Sequence, residues 1–465
     1  MEEFIKSIFA RARKLKGEKT TLPTPPEEIR ANFDLELSEE SLDPEAALPS
    51  LLEGIFKYSV NTQSPRFLNQ LYGGTSEITW VGDLLTSILN TSMATYEIAP
   101  LATLMEKELI RAINQEIGFQ QIDGLMVPGG SNANMMALHC ARYARNNSIK
   151  EDGLFGRRKL HVYYSGDAHY STLKAMSQLG MGTGQLIKVA VDKNHRMSVE
   201  GLERAIEQSV SDNAVPLCVV STAGTTVWGS FDPIDEIQNV CEEHSLWHHV
   251  DAAWGGLALW SDHKDTLFRG VERVDSITMD FHKLMGSSLT KAFFLTKHPE
   301  VMYGANSGGG ETYIFHPTDC DKMLDTGKYA LQCGRKVDSL SLWLQWKLQG
   351  TARYRKKVAE LCGLKQWCVE FLEKNAVKFR LIHRPEFMNI CFQIIPDDPE
   401  EDFGKHNRAI RENLMANGDI MVNFSSSPEH GEFIRLVLTQ WELDRQILAE
   451  IFEELERLSC DLSGQ

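Results

Sequence analysis

The chain has 465 residues with 48 basic and 64 acidic side chains, a net charge of −16, and it is 42% hydrophobic and 24% charged. That length divides into two or three domains at roughly 100–200 residues each, and the composition excludes a disordered, collagen-like or coiled-coil protein. The acidic balance repels a phosphate backbone, so nucleic acid is not an expected partner, and no apolar run reaches the roughly 18 residues of a membrane-spanning helix.

The opening segment, MEEFIKSIFARARKLKGEK, begins with acids and has no continuous apolar stretch, so no signal peptide is expected. Phe4, Ile5, Ile8 and Phe9 recur at helical spacing, which predicts an amphipathic helix docked on the protein or on a partner subunit rather than on a membrane. The Pro- and Glu-rich stretch 22–49 reads as a linker or wrapped arm. From about residue 100 to 345, short apolar runs (LHVYYS, VPLCVVST, LWHHVDAAW, SITMDF, KAFFLT) alternate with amphipathic segments such as 197–208. Continuous β-branched and aromatic runs predict a largely parallel sheet buried on both faces, with ligands at the strand carboxyl ends. Beyond 340–346, an amphipathic segment (351–374), the strand-like FRLIHR, MNICFQIIP and FIRLVLT and a final helical pattern form a smaller α+β domain. The expected division is an N-terminal helical arm and linker (1–75), a large α/β domain (76–347) and a small α+β domain (348–465). Nine scattered cysteines with no CxxC pair give no metal site and suit a reducing cytoplasm.

Three stretches carry chemistry. In PGGSNANMMALHCARYARN (128–146), two glycines and a serine precede a helical pattern, where backbone N–H groups and the helix dipole favour an anion. Taken alone, a glycine turn capped by Ser131 or Asn132 is the simpler reading. Asp251 follows an apolar strand, where a buried carboxylate needs a cationic partner, although a helix-capping Asp accounts for it equally well alone. Lys283 follows a further short strand beside His282, where a desolvated amine can become a nucleophile toward carbonyls. In this order they supply an anion cradle, a carboxylate for a pyridinium nitrogen and an amine for a carbonyl, the requirements of pyridoxal 5'-phosphate.

Eight colinear blocks resemble the group II pyridoxal-phosphate-dependent amino acid decarboxylases, on the branch of the cysteine sulfinate, aspartate and glutamate decarboxylases. They are SPRFLNQLYGG, LNTSMATYEIAPLATLME, PGGSNANMMAL, STAGTTVWGSFDPI, LWHHVDAAWGG, FHKLMG, YIFH and DTGKYALQCGRKVDSLSLWLQWK. The resemblance implies the fold-type I architecture, a homodimer with active sites near the interface, and a small acidic amino acid as substrate. By position, Lys283 carries the cofactor covalently, His282 lies beside its phosphate, Asp251 pairs with the ring nitrogen, and Ala253 and His169 cover the two ring faces. Thr222 approaches the phenolic oxygen, and Gly130, Ser131 and Asn132 form the phosphate turn. Gln70 and Arg435 match positions that hold substrate carboxylates, and Tyr313, after a triple-glycine loop, matches a tyrosine that returns a proton in the neighbouring subunit's site.

Two positions depart from the pattern. Asp280 stands where many relatives have Asn, and an anionic carboxylate beside a phosphate is repelled unless protonated or turned away. Lys291 replaces a cysteine and reads as a solvated lysine at a strand start. Tyr72 follows the NQL stretch where glutamate decarboxylases have a small hydroxyl residue, and its phenol shortens the pocket. The expected reaction is therefore α-decarboxylation of aspartate or cysteine sulfinate, with glutamate decarboxylation or aminotransfer on the same fold as the alternatives.

Overall fold

A computed structural model describes residues 2–308, 313–316, 324–398 and 400–463. In chain order the strands are β1 (Phe67–Leu68), β2 (Asp123–Val127), β3 (Leu160–Ser165), β4 (Leu186–Val189), β5 (Val215–Thr222), β6 (Trp247–Ala252), β7 (Ser276–Asp280), β8 (Ala292–Thr296), β9 (Phe379–Leu381), β10 (Asn389–Ile394), β11 (Met421–Ser427) and β12 (Gly431–Val437).

The residues divide into two compact units. The first comprises Thr75–Cys362 with Pro385–Phe387. Its seven-stranded sheet has the order β2-β8-β7-β6-β5-β3-β4. Pairing is parallel from β4 through β3, β5 and β6 to β7, whereas β8 runs antiparallel to both β7 and β2. Because β8 alone is reversed, β2 points the same way as β7, and the carboxyl ends of β2, β3, β5, β6 and β7 share one edge. The loops carrying chemistry all leave from that edge. Every residue of β2, β6, β7 and β8 is buried, so this part of the sheet is covered on both faces.

Local signals set the helices around this sheet. Ser76 caps Glu77–Leu89 by accepting from the Thr79 N–H, and Ser198 caps Val199–Ser211 by accepting from the Gly201 N–H. The helix Asp338–Lys374 bends at Gly350, whose φ of +74° leaves the helical region. The boundary expected after residue 347 therefore falls inside this helical segment.

The second unit comprises Met1–Gly74, Gly363–Arg384 and Met388–Gln465. Its five-stranded sheet runs β1-β11-β12-β10-β9, with β1 parallel to β11 and the remaining pairs antiparallel. The N-terminal segment read as an arm and linker thus contributes an edge strand to this unit, and the stretch read as a linker contains the helix Pro26–Asn32. The opening helix, Glu2–Lys14, buries none of its residues; Phe4 and Ile8 line a groove with Leu52 and Phe56 of the helix Pro44–Tyr58.

Strand β6 carries adjacent histidines, His248 and His249, both fully buried. Desolvation pushes them down to about 3 and about 4, from an ordinary value near 6.5. Between those values the unfolded chain binds protons that the folded chain excludes. Their contribution to stability is complete above about pH 6.5 and is lost as the pH falls toward 4. Asp232, pushed up to about 7 by burial, acts in the opposite sense from about pH 4 to 7. His248 is hydrogen-bonded to Ser221 Oγ and Gln238 Oε1, partners that an amide also satisfies. His248→Gln is expected to flatten the fall in melting temperature between pH 6.5 and 4; an unchanged slope would contradict this.

Candidate active site

At the carboxyl edge of the large sheet lies a cavity of about 250 Å³, lined by Gly129, Gly130, Ser131, Asn134, His169, Thr222, Gly224, Thr226, Asp251, Ala253, Trp254, Asp280, His282 and Lys283, with Pro128 at its side. Strand register explains the meeting of distant residues: Thr222, Asp251 and Thr278 are direct neighbours across β5, β6 and β7.

Beyond β2 the chain turns at Gly129, whose φ of +104° is costly for any residue with a Cβ. The helix Gly130–Arg145 starts immediately afterwards, and Gly130 and Ser131 in its first turn line the cavity. A Cβ on Gly130 would lie 2.8 and 3.0 Å from the Asp280 carboxyl oxygens and 3.1 Å from Ala253 Cβ. The space that the absent side chain leaves is part of the cradle. Ser131 lines the cavity, but Asn132 does not, and its Oδ1 is buried without a hydrogen bond.

Asp251 is buried at the end of β6 and accepts from Asn134 Nδ2 at 2.7 Å and from the Ala253 N–H at 3.1 Å. Lys283, in the short helical turn Phe281–Leu284 after β7, points its Nζ to 3.2 Å from Asp280 Oδ2. The Asp280 carboxylate is therefore not turned away from the cavity; it stands paired with the amine, and its Oδ1 has no partner. His282 Nδ1 accepts from the Lys291 N–H at 3.2 Å, leaving Nε2 on the side of Asp280 Oδ2, 3.8 Å away. Burial lowers the pKa of His282, and likewise of His169, so both rings are neutral near pH 7. His169 Nδ1 accepts from the Ser171 N–H at 3.2 Å, which assigns its proton to Nε2.

Lys291 corrects one expectation. It is not solvated: its side chain is fully buried and its ammonium lies 3.1 Å from Asp338 and 3.3 Å from Asp83. A buried cation requires such counter-charges, and the pair of them ties β8 to the helices beginning near 77 and 338.

Of the remaining expected residues, Tyr313 is 82% exposed and does not line the cavity; the rest of its loop, 309–312, lies outside the described residues. Gln70, Tyr72 and Arg435 belong to the second unit. There the structure brings two of them to one residue: Gln70 Nε2 donates to Asn69 Oδ1 at 2.7 Å, and Arg435 Nη2 donates to the Asn69 carbonyl at 3.2 Å. The Tyr72 ring lies 6.0 Å from that of Phe67. Sequence reasoning missed Asn134, Thr226 and Trp254. Asn134 had a signal, since a polar residue interrupts the buried face formed by Ala133, Ala137 and Leu138.

A glycine cradle at a helix start, the buried Asp251 carboxylate, the Lys283 amine and the buried Thr222 hydroxyl without a partner match a ligand bearing an anion, a ring nitrogen and an aldehyde, with the Asp280 carboxylate met by the Lys283 ammonium. Comparison with known proteins agrees. Residues 26–395 match the model of the pyridoxal-dependent decarboxylase conserved domain, and the chain belongs to that family. It is a pyridoxal-phosphate-dependent amino acid decarboxylase. It is 36% identical over 447 residues to cysteine sulfinic acid decarboxylase of Homo sapiens, covering 94% of this chain and 90% of that one. It is 35% identical over 448 residues to the acidic amino acid decarboxylase GADL1 of Bos taurus, covering 94% and 86%. The crystal structure of mouse CSAD superposes with a TM-score of 0.92 at 33% identity, over 98% of each chain. Oryza sativa TDC with PLP and tryptamine, at 20% identity over 99% and 97% of the two chains, shares the fold with a TM-score of 0.92.

Gly130→Ala should fill the cradle while leaving the sheet intact. A fall of at least about tenfold in affinity for pyridoxal phosphate, read by absorbance titration, is expected, with little change in melting temperature; unaltered affinity would contradict the assignment of the cradle.

Proposed function

We propose that the protein removes the α-carboxylate of a short acidic amino acid, converting L-aspartate to β-alanine or L-cysteine sulfinate to hypotaurine. The observation that carries this reading is the cavity in which Lys283, Asp280 and Asp251 converge, in a chain whose relatives include decarboxylases named for cysteine sulfinic acid and for acidic amino acids.

Pyridoxal phosphate, when bound, supplies a conjugated ring that accepts the bond electrons as carbon dioxide leaves. The protein's residues do the rest. Gly130 and Ser131, with the N–H groups of their helix start, bind the phosphate; Asn132 has a smaller part, because it does not line the cavity. Lys283, whose Nζ reaches the cavity, would hold the cofactor covalently. Asp280 Oδ2, at 3.2 Å, is placed to take the proton that Nζ must lose before it attacks. Asp251 would pair with the ring nitrogen and favour a proton there, an electrostatic contribution in place before reaction. His169 and Ala253 would flank the ring, Thr222 Oγ1 would offer its hydroxyl to a ring oxygen, and His282 would help to hold the phosphate. We assign the substrate carboxylates to Gln70 and Arg435, the latter because a guanidinium binds a carboxylate with two parallel hydrogen bonds. Tyr313 returns a proton to the substrate carbon.

Its exposure suits action in the site of a second copy. The helix Glu77–Leu89 leaves Val81, Leu84, Leu85, Ile88 and Leu89 exposed, an apolar stripe of the kind that a subunit interface covers. A homodimer is therefore part of the proposal. So is residence in the cytoplasm: among the described residues eight cysteines carry free thiols, and no helix is long and apolar enough to cross a membrane.

Carbon dioxide release with pyridoxal phosphate present, compared for aspartate, cysteine sulfinate, glutamate and an aromatic amino acid, tests the substrate assignment. The short acids should turn over fastest, Lys283→Ala should abolish release, and Tyr72→Thr should shift preference toward glutamate by about tenfold or more, the scale of one methylene. A wild-type preference for glutamate would refute the role of Tyr72, and full turnover by Lys283→Ala would refute the site.

A further inference from the structure

Asp251 is the end of a buried chain of hydrogen bonds whose directions can be assigned one by one. An ionised carboxylate only accepts, so the atom of Asn134 that lies 2.7 Å from Asp251 Oδ2 is its Nδ2, which also donates to Ser171 Oγ at 2.9 Å. Asn134 Oδ1 therefore faces His249 Nε2 at 3.0 Å, which assigns the proton to this nitrogen; Thr278 Oγ1 lies 3.1 Å from the same nitrogen and donates to the same amide oxygen at 2.8 Å. Burial holds the His249 ring neutral, pushed down to about 4. Its Nδ1 is then bare and accepts from Ser276 Oγ at 2.8 Å. Ser276 Oγ in turn accepts from Trp247 Nε1 at 2.8 Å, a group that can only donate. Trp247, Ser276, His249, Asn134 and Thr278 are all buried, and along the path Trp247, Ser276, His249, Asn134 each link donates toward Asp251, with the second Asn134 N–H going to Ser171.

We propose that Asn134 and His249 are positioning residues of a one-directional relay, running from Trp247 to Asp251, that holds the Asp251 carboxylate as an anion and thereby keeps the proton on the ring nitrogen of the bound cofactor. This rests on the reading that the cofactor lies against Asp251. A desolvated carboxylate and an aromatic nitrogen compete for the proton between them. Each hydrogen bond donated to the carboxylate lowers its proton affinity and leaves the proton on the nitrogen. Asn134 supplies one of the two donors that Asp251 receives, the other being the Ala253 N–H. An amide is free to turn by half a rotation and present its oxygen instead, which would repel Asp251. His249 Nε2–H and Thr278 Oγ–H prevent that turn by engaging Oδ1. The relay thus sets the sense of an amide, and through it the charge of the group that tunes the cofactor.

The test uses the full chain loaded with pyridoxal phosphate labelled with ¹⁵N in the ring, whose nitrogen resonance reports protonation directly. Wild type should show a protonated nitrogen. Asn134→Leu should move the resonance toward the unprotonated position, His249→Phe should move it in the same direction by less, and His249→Gln, whose side-chain N–H replaces Nε2–H, should restore it. A loss of packing alone would lower the melting temperature without moving the resonance. A wild-type resonance in loaded Asn134→Leu would overturn the relay. Should that variant not load, the histidine pair decides, since equal resonances in His249→Phe and His249→Gln would overturn it as well. An unprotonated nitrogen in wild type would overturn the reading of Asp251 itself, and the relay with it.

Discussion

A carboxylate held inside the carboxyl edge of a parallel sheet is the constraint around which the large unit is organised. Asp251 is 5% exposed, and a charge so placed costs several kcal/mol unless donors replace its lost water. The replacement comes from the backbone turn at Ala253 and from Asn134, one helical turn beyond the glycines that open the anion cradle. A single helix, Gly130–Arg145, thus presents its amino-terminal N–H groups to one part of the cavity and steadies the carboxylate in another. Displacement of this helix from the sheet would strand the charge and open the cradle together.

The second charge of the cavity follows the same logic. Lys283 and Asp280 neutralise each other at 3.2 Å in a region where neither has much water. The amine is thereby held at a defined place and next to a base. On the far side of the His282 ring, the Lys291 backbone fixes Nδ1, while the Lys291 ammonium is balanced by Asp83 and Asp338. Three carboxylates and two lysines around one short turn give a site in which buried charges are met by opposite ones.

Much of this was legible in the sequence, and the reason is the parallel sheet. Strands buried on both faces left short segments rich in apolar and β-branched residues, so β3, β5, β6, β7 and β8 stood out, and residues at or just past their carboxyl ends, Thr222, Asp251 and Lys283, could be named. Strands without that signature did not stand out. β2 opens with Asp-Gly, β4 is short and half exposed, β11 ends in three serines, and β1 is two residues long. The reversal of β8 is a matter of register that no local pattern encodes. Lys291 misled because a lysine is solvated by default; only packing brings Asp83 and Asp338, far away in the chain, to its ammonium. Asn132 and Asn134 illustrate the same limit, since both follow the glycine turn and only the rotation of the helix decides which faces Asp251.

The proposed site receives pyridoxal phosphate on Lys283, with Asp280 beside the amine. Borohydride reduction of the loaded protein followed by peptide mapping tests it most directly, because reduction makes the link between cofactor and lysine permanent. A pyridoxyl group is expected on Lys283 alone, with Lys291 unmodified behind its two carboxylates. A pyridoxyl group on another lysine, with Lys283 unmodified, would contradict it.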